Sequence, residues 1–273
     1  VEVHHLTDEN PQEPEDHPDF WNIWVRSIRK FCPTGPDLVF SSEPYGDELA
    51  RRLGAAHYAV DIARKTFPVS GTMIRNAPFR YWDYIPEKVR PYFVKKMVIY
   101  GPESTGKTTL ARDLARHYNT LWVEEYARRM LDEKGIENGL KNTIELSDID
   151  KIGRGQPAIE DESVKKADKL LFCDSDLITT VIYSRHFFNT CPAWVQAEAD
   201  RRTYDLYLLA DIDLPWEADP QRDTGDKREE YFQIFKHELD IRSRPYKILS
   251  GLENRRLQNA VRIVDEFIKP YYR

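Results

Sequence analysis

The eight residues Gly101-Pro102-Glu103-Ser104-Thr105-Gly106-Lys107-Thr108 constrain this chain more than any other stretch. The pattern (glycine, four residues, glycine, lysine, threonine) directly follows an apolar run at residues 94–100. It opens a segment with helical character at residues 106–118. A strand, a tight loop and a helix in that order let successive backbone N–H groups curl around a phosphate, and the helix adds the positive end of its dipole. Lys107 is expected to reach the outer phosphates and the Thr108 hydroxyl to hold magnesium. Gly101, Glu103, Ser104, Thr105, Gly106 and Thr109 complete the cradle. ATP and Mg2+ are the expected cofactors.

The rest of the chain from Val94 alternates in the same way. Residues 121–123 read as a short strand and residues 126–133 as a helix. A longer helix is expected from Ser147, where Ser147-Asp148-Ile149-Asp150 has capping-box spacing, with a kink or break at Pro157. The continuous apolar runs at residues 170–173, 206–210 and 246–249 suit strands buried on both faces, and residues 253–269 have helical spacing. The expected fold class is therefore α/β, a P-loop kinase domain with a parallel sheet and helices on both faces, over residues 94–273.

Residues 1–93 differ. Val1 to Leu6 is strand-like, and the acidic, proline-bearing residues 8–19 read as a loop. Helices are expected at residues 19–31 and 47–53, and strands at 37–40 and 57–60. Three strands and two helices make half of a doubly wound domain, too small to bury much surface by itself. The aromatic residues 78–91 read as a packed connector rather than a flexible linker.

Composition narrows the function. A net charge of −6 argues against a general nucleic-acid binder. Cys32, Cys173 and Cys191 are too few and scattered for a disulfide framework or a zinc site, which fits reduced thiols in the cytoplasm. No apolar run approaches a membrane span, no signal-peptide pattern is present, and the seven histidines show no metal-ligand pairing.

Several side chains join the phosphate loop as candidates. Asp174 closes a buried strand, where a carboxylate completes a magnesium shell, and Asp176 either joins it or caps the next helix. Glu124 and Glu125 end the second strand, at the face where α/β sheets bind ligands. Glu125 or Asp174 would orient an acceptor hydroxyl or take its proton. The polar residues 213–230 carry Trp216, Arg222, Lys227 and Arg228 and would make a lid whose arginines close over the transferring phosphate.

The stretch Phe67-Pro68-Val69-Ser70-Gly71-Thr72-Met73-Ile74-Arg75 resembles a nucleotide adenylyltransferase signature ending in a phosphate-gripping arginine, with Ser70, Thr72 and Arg75 as its polar residues. It is followed by Pro78-Phe79-Arg80-Tyr81-Trp82-Asp83-Tyr84-Ile85-Pro86 and then the phosphate loop. That order resembles the NadR family, which joins a nicotinamide mononucleotide adenylyltransferase to a ribosylnicotinamide kinase. Glu125-Tyr126-Ala127-Arg128, Ser147 to Ile152, Asp174-Ser175-Asp176 and Pro215-Trp216-Glu217-Ala218-Asp219 with Arg222 resemble its kinase half.

The resemblance implies phosphorylation of nicotinamide riboside by ATP, a partial Rossmann-like adenylyltransferase over residues 1–93, and the kinase beyond. The family's histidine-x-glycine-histidine motif is absent here, which implies an incomplete first domain without adenylyl transfer and an exposed sheet edge, so that this segment opens well before the kinase core or is sheltered by self-association. A cationic pyridinium acceptor implies an aromatic, negative site, with Trp122, Tyr126, Trp216, Glu125, Arg128, Asp174 and Asp176 as its residues. A kinase for another nucleoside, or an ATP-binding regulator of NAD metabolism with little turnover, are the alternatives.

Overall fold

The structure is a computed structural model describing residues 2–134, 136–137, 140–141, 144–215 and 227–273, so Trp216 and Arg222 lie outside the described residues. It divides into two compact units, Val1–Gly71 and Thr72–Arg273.

In the first unit, α1 (Phe20–Arg29) precedes β1 (Leu38–Ser41), α2 (Gly46–Leu53) and β2 (Ala56–Ala59). The two strands pair in parallel, Leu38 with Ala56 through Ser41 with Ala59, and α2 packs on both. The segment before α1 is tied down by charge, because Asp8 accepts from Ser27 Oγ at 2.6 Å and from Lys30 Nζ at 2.7 Å. These contacts hold its carboxyl below the usual range, the Lys30 hydrogen bond most of all.

A row of three side chains braces α2 against the strands. His57 Nε2 lies 2.9 Å from Ser41 Oγ and His57 Nδ1 lies 2.7 Å from Asp47 Oδ1. The spacing resembles a nucleophile with its base and orienter, but the Ser41 hydroxyl also donates to Glu43 O and Asp47 is 84% exposed. The row works as a brace. The strand expected at residues 1–6 does not form over the described residues 2–6. There His4 instead stacks on Phe31 with ring centroids 5.0 Å apart. This leaves Phe40 and Tyr58 62% and 59% exposed on the two-stranded sheet.

The second unit starts with α3 (Gly71–Asn76), whose first residue closes the first unit, and α4 (Arg90–Phe93). The expected boundary at residues 93 and 94 thus moves to Gly71 and Thr72. The reason is burial. Phe79, Trp82 and Ile85 belong to the core of the larger unit, and Phe79 N–H donates to Tyr271 O at 3.0 Å.

Five strands form its parallel sheet: β3 (Lys95–Tyr100), β4 (Leu121–Val123), β7 (Leu170–Asp174), β8 (Leu206–Ala210) and β9 (Tyr246–Leu249). The order is β4-β7-β3-β8-β9. Met97 to Tyr100 and the whole of β7 and β8 are buried, hence their continuous apolar sequences. Each large side chain buried this way contributes about 1.5–3 kcal/mol. The short strands β5 (Ile136–Glu137) and β6 (Leu140–Lys141) pair antiparallel apart from the sheet.

Helix α5 (Lys107–His117) packs on β3, β4 and β7 and against α11 (Glu253–Ile268). A second group is formed by α7 (Leu146–Val164), α8 (Leu177–Phe188), α9 (Ala193–Arg201) and α10 (Arg228–Ile241), with α6 (Tyr126–Lys134) against α7. Helix α7 begins one residue before Ser147 and is capped by Glu145, whose N–H donates to Asp148 Oδ2 at 2.9 Å, rather than by the expected Ser147 box. It also runs on through Pro157 undivided. Among the described residues, no helix is long and apolar enough to cross a membrane.

The difference in burial between the units makes a prediction. In a verified monomer, the amide of Leu171 should exchange with solvent at least roughly a hundredfold more slowly than that of Val39, since protection follows local stability. Equal protection would show that the small sheet is as stable as the large one.

Candidate functional site

The loop at the C-terminal end of β3 has a backbone that its sequence makes accessible. Gly101 has φ +138°, and a Cβ there would meet the Ala210 carbonyl oxygen at 3.0 Å. Gly106 caps α5 at φ +73° with Leu214 Cδ1 against it. Ser104 also takes a positive φ, 56°. Inside the loop, Thr105 Oγ1 and Lys107 Nζ each donate to Pro102 O at 2.8 Å, so the ammonium is held across the concavity. Glu103, Ser104, Lys107 and Thr108 are half-buried around it, and Thr109 is exposed.

Sheet register delivers the second half of the site. Ile99 pairs with Asp174, and Ser175 N–H donates to Ile99 O at 3.1 Å. Asp174 therefore lies beside the loop, where its Oδ2 accepts from Thr108 Oγ1 at 2.5 Å. Its Oδ1 is buried with no hydrogen-bond partner. A hydroxyl and a carboxylate with a spare buried oxygen are hard oxygen donors, which suit Mg2+. Among the described residues, no three His, Cys, Asp or Glu gather into a metal cluster, so the remaining ligands would have to come from phosphates and water.

Glu125 completes this group. Loss of hydration, then the Asp174 charge, pushes its carboxyl up, while Lys107 and Arg128 pull it down. Asp174 is likewise raised by burial and opposed by Lys107, the Thr108 hydrogen bond and Arg128. Two acids and two cations are thus electrostatically joined next to a phosphate cradle, an arrangement that marks functional sites.

Other expected residues stand differently. Asp176 is buried and acts as the N-cap of α8, accepting from Thr179 N–H at 3.2 Å and from Tyr207 OH at 2.8 Å. Both its oxygens accept bonds within the fold, the helix-capping alternative among the two readings of this residue. Trp122 is partly buried against the core. Neither face of the Tyr126 ring is open as expected, because one lies on Gly155 and the other carries the Arg129 guanidinium 4.8 Å from its centroid. Arg228 opens α10, donating to Leu214 O at 2.8 Å and to Ser104 O at 3.4 Å, so it does reach the phosphate loop. In α3, exposed Arg75 donates to Thr72 Oγ1 at 3.2 Å; Ser70 lies just before that helix.

The sequence reading misses two anchors. Gln156 accepts from Tyr126 N–H at 2.8 Å. Arg256 joins Asp213 Oδ1 at 2.5 Å, Asp211 O at 2.8 Å and Gly251 O at 3.1 Å, tying together the loops after β8 and β9. The bonds from Tyr126 to Gln156 and from Arg256 to Asp213 and Asp211 join residues 30 or more apart, which local pattern does not encode.

Comparison with known proteins agrees with this geometry. A family model described as AAA domain matches residues 96–256. Over 220 residues, 79% of its length, the chain is 36% identical to the trifunctional NAD biosynthesis/regulator protein NadR of Escherichia coli (strain K12). The chain belongs to this AAA-domain family and is a NadR relative. The Salmonella typhimurium (strain LT2) NadR is 35% identical over 220 residues. The chain spans about half the length of these curated relatives, 53% of each. A crystal structure of NadR in complex with NAD and AMP-PNP superposes with a TM-score of 0.72 at 23% identity, covering 97% of this chain and 76% of that one. A second, in complex with NR, gives 0.71 at 22%, covering 96% and 76%. These establish that the chain shares the α/β fold of the NadR structures.

Replacing Gly101 with alanine tests the loop. The combination of φ and a backbone oxygen in the way should cost about 1–3 kcal/mol on chemical denaturation and weaken nucleotide binding on calorimetric titration. Unchanged stability and affinity would show that the loop has room for a Cβ.

Proposed function

We propose that this chain is an ATP-dependent kinase that phosphorylates the 5′-hydroxyl of nicotinamide riboside, giving nicotinamide mononucleotide and ADP in NAD biosynthesis. The observation that carries the reading is the joint placement of Lys107, Thr108, Asp174 and Glu125 at the end of β3. The naming of NAD biosynthesis in the relatives, and of NR, read as nicotinamide riboside, in one related structure supports the choice of acceptor.

In this reading the loop N–H groups and Lys107 bind and orient the phosphates. Thr108 Oγ1 and the Asp174 carboxylate would hold Mg2+, which neutralises phosphate charge when bound. Glu125 takes the proton of the attacking 5′-hydroxyl. Of the two carboxylates it is better suited, because Asp174 is already committed to Thr108. The 5′-oxygen bonds to the γ-phosphorus as the bond to the β–γ bridging oxygen breaks. Arg228, anchored between Leu214 and Ser104, lies where it can follow the departing charge.

Two measurements test this. Lys107→Ala should lower turnover with saturating magnesium-ATP by roughly 10²- to 10⁴-fold, the scale of removing a transition-state cation. A variant within about threefold of the parent would remove Lys107 from the chemistry. In an acceptor screen read by ADP release, cationic nicotinamide riboside should exceed neutral uridine by at least about tenfold in kcat/KM, or about 1.4 kcal/mol. Preference for another nucleoside would reassign the acceptor, and tight ATP binding without turnover would make the chain a sensor.

A further inference from the structure

Glu125 ends the link between β4 and α6. The backbone that follows it is tied to α7. Tyr126 N–H is the first amide of α6, one of the donors that a helix start leaves without an internal partner. Its acceptor is Gln156 Oε1, at 2.8 Å.

Gln156 is 3% exposed and its orientation is determined. Its Nε2 donates to Glu160 Oε1 at 3.0 Å, so its oxygen has to face Tyr126. Glu160, 1% exposed, accepts in turn from Tyr204 OH at 2.7 Å and from Arg202 Nη2 at 3.2 Å. Arg202 is itself fixed by Asp161 at 2.6 Å. A chain of buried polar groups thus runs from the far side of the unit to one peptide bond from Glu125. Beside it, the Tyr126 ring rests on the bare Cα of Gly155. Neighbouring residues of one helical turn therefore hold both the amide and the ring of residue 126. Buried polar chains are costly to keep and are often replaceable by apolar packing. One that ends on the backbone of the acid in a site calls for a reason beyond cohesion.

We propose that Gln156 is a positioning residue for phosphoryl transfer: through the Tyr126 amide it aims the Glu125 carboxylate, and Gly155 provides the surface that lets Tyr126 lie in register. This rests on Glu125 acting as the acceptor's base. It adds a determinant on α7 that touches neither nucleotide nor acceptor.

The test uses the full chain and whichever nucleoside the parent phosphorylates. Gln156→Met removes the acceptor for Tyr126 N–H. It should lower kcat by about tenfold or more while KM for ATP stays within about twofold. Gln156→Glu alone sets two carboxylates together and should fail similarly. Gln156→Glu combined with Glu160→Gln exchanges the amide and the carboxylate but restores every hydrogen bond of the chain. It should return kcat to within about threefold of the parent. A purely cohesive role would lower the melting temperature of the single variants and leave kcat intact. A folded Gln156→Met variant with kcat within about twofold of the parent overturns the proposal. If that variant does not fold, the double variant decides, and failure to recover kcat in a folded double variant also overturns it. Turnover by the parent with a nucleoside other than nicotinamide riboside would change the acceptor but not this comparison, and absence of all turnover would defeat both.

Discussion

The register of β3 against β7 is the constraint on which the nucleotide end depends. Pairing Ile99 with Asp174 puts the last residue of one strand beside the loop that leaves the other. Thr108, two residues into α5, then meets the carboxylate. Because β3 lies between β7 and β8, its loop opens where the chain crosses from one side of the sheet to the other, a position at which α/β sheets leave a crevice. A shift of one residue in that pairing would turn Asp174 to the opposite face. The apolar burial of both strands is what prevents it, so the chemistry is anchored by packing and not by the polar residues themselves.

Several buried polar side chains in this core tie one element to another. Asp176 links α8 to β8 through Tyr207, and burial pushes its carboxyl up to about 6 against the pull of that hydroxyl. Arg256 gathers the turns after β8 and β9 at the same end of the sheet as the phosphate loop. Its charge is disfavoured by burial and partly offset by Asp213. Such ties favour one arrangement over its near alternatives, which is what a site requiring placement within fractions of an ångström demands.

How much of this was readable from the residues alone follows from range. The strands β3, β7 and β8 are legible because burial on both faces leaves uninterrupted apolar runs, and the phosphate loop is legible because its geometry needs glycine at fixed places. Helices α9 and α10 are not among the expected elements. Helix α9 buries only Val195 and Ala199, and α10 begins inside a charged stretch that reads as lid. The alternatives for Asp176 could not be separated without Tyr207, 31 residues away. Tyr126 read as an open aromatic face because Gly155 and Arg129, which cover it, are contacts made by folding. The strand-like residues 1–6 suggest a third strand in the small unit, but the described residues 2–6 form none.

The junction between Phe79 and Tyr271 carries an architectural consequence. The first buried aromatic of the larger unit and the turn after its last helix are joined by a backbone hydrogen bond and by ring contact, with centroids 5.4 Å apart. Domains whose ends meet in this way tolerate circular permutation and insertion into other chains, since a neighbour attached at either end departs from one place. That place lies away from the carboxyl ends of the strands: Lys95, at the opposite end of β3, sits with its ammonium 4.7 Å from the Tyr271 ring. The larger unit is therefore built as a cassette whose two ends meet at the base of its sheet, opposite the phosphate loop.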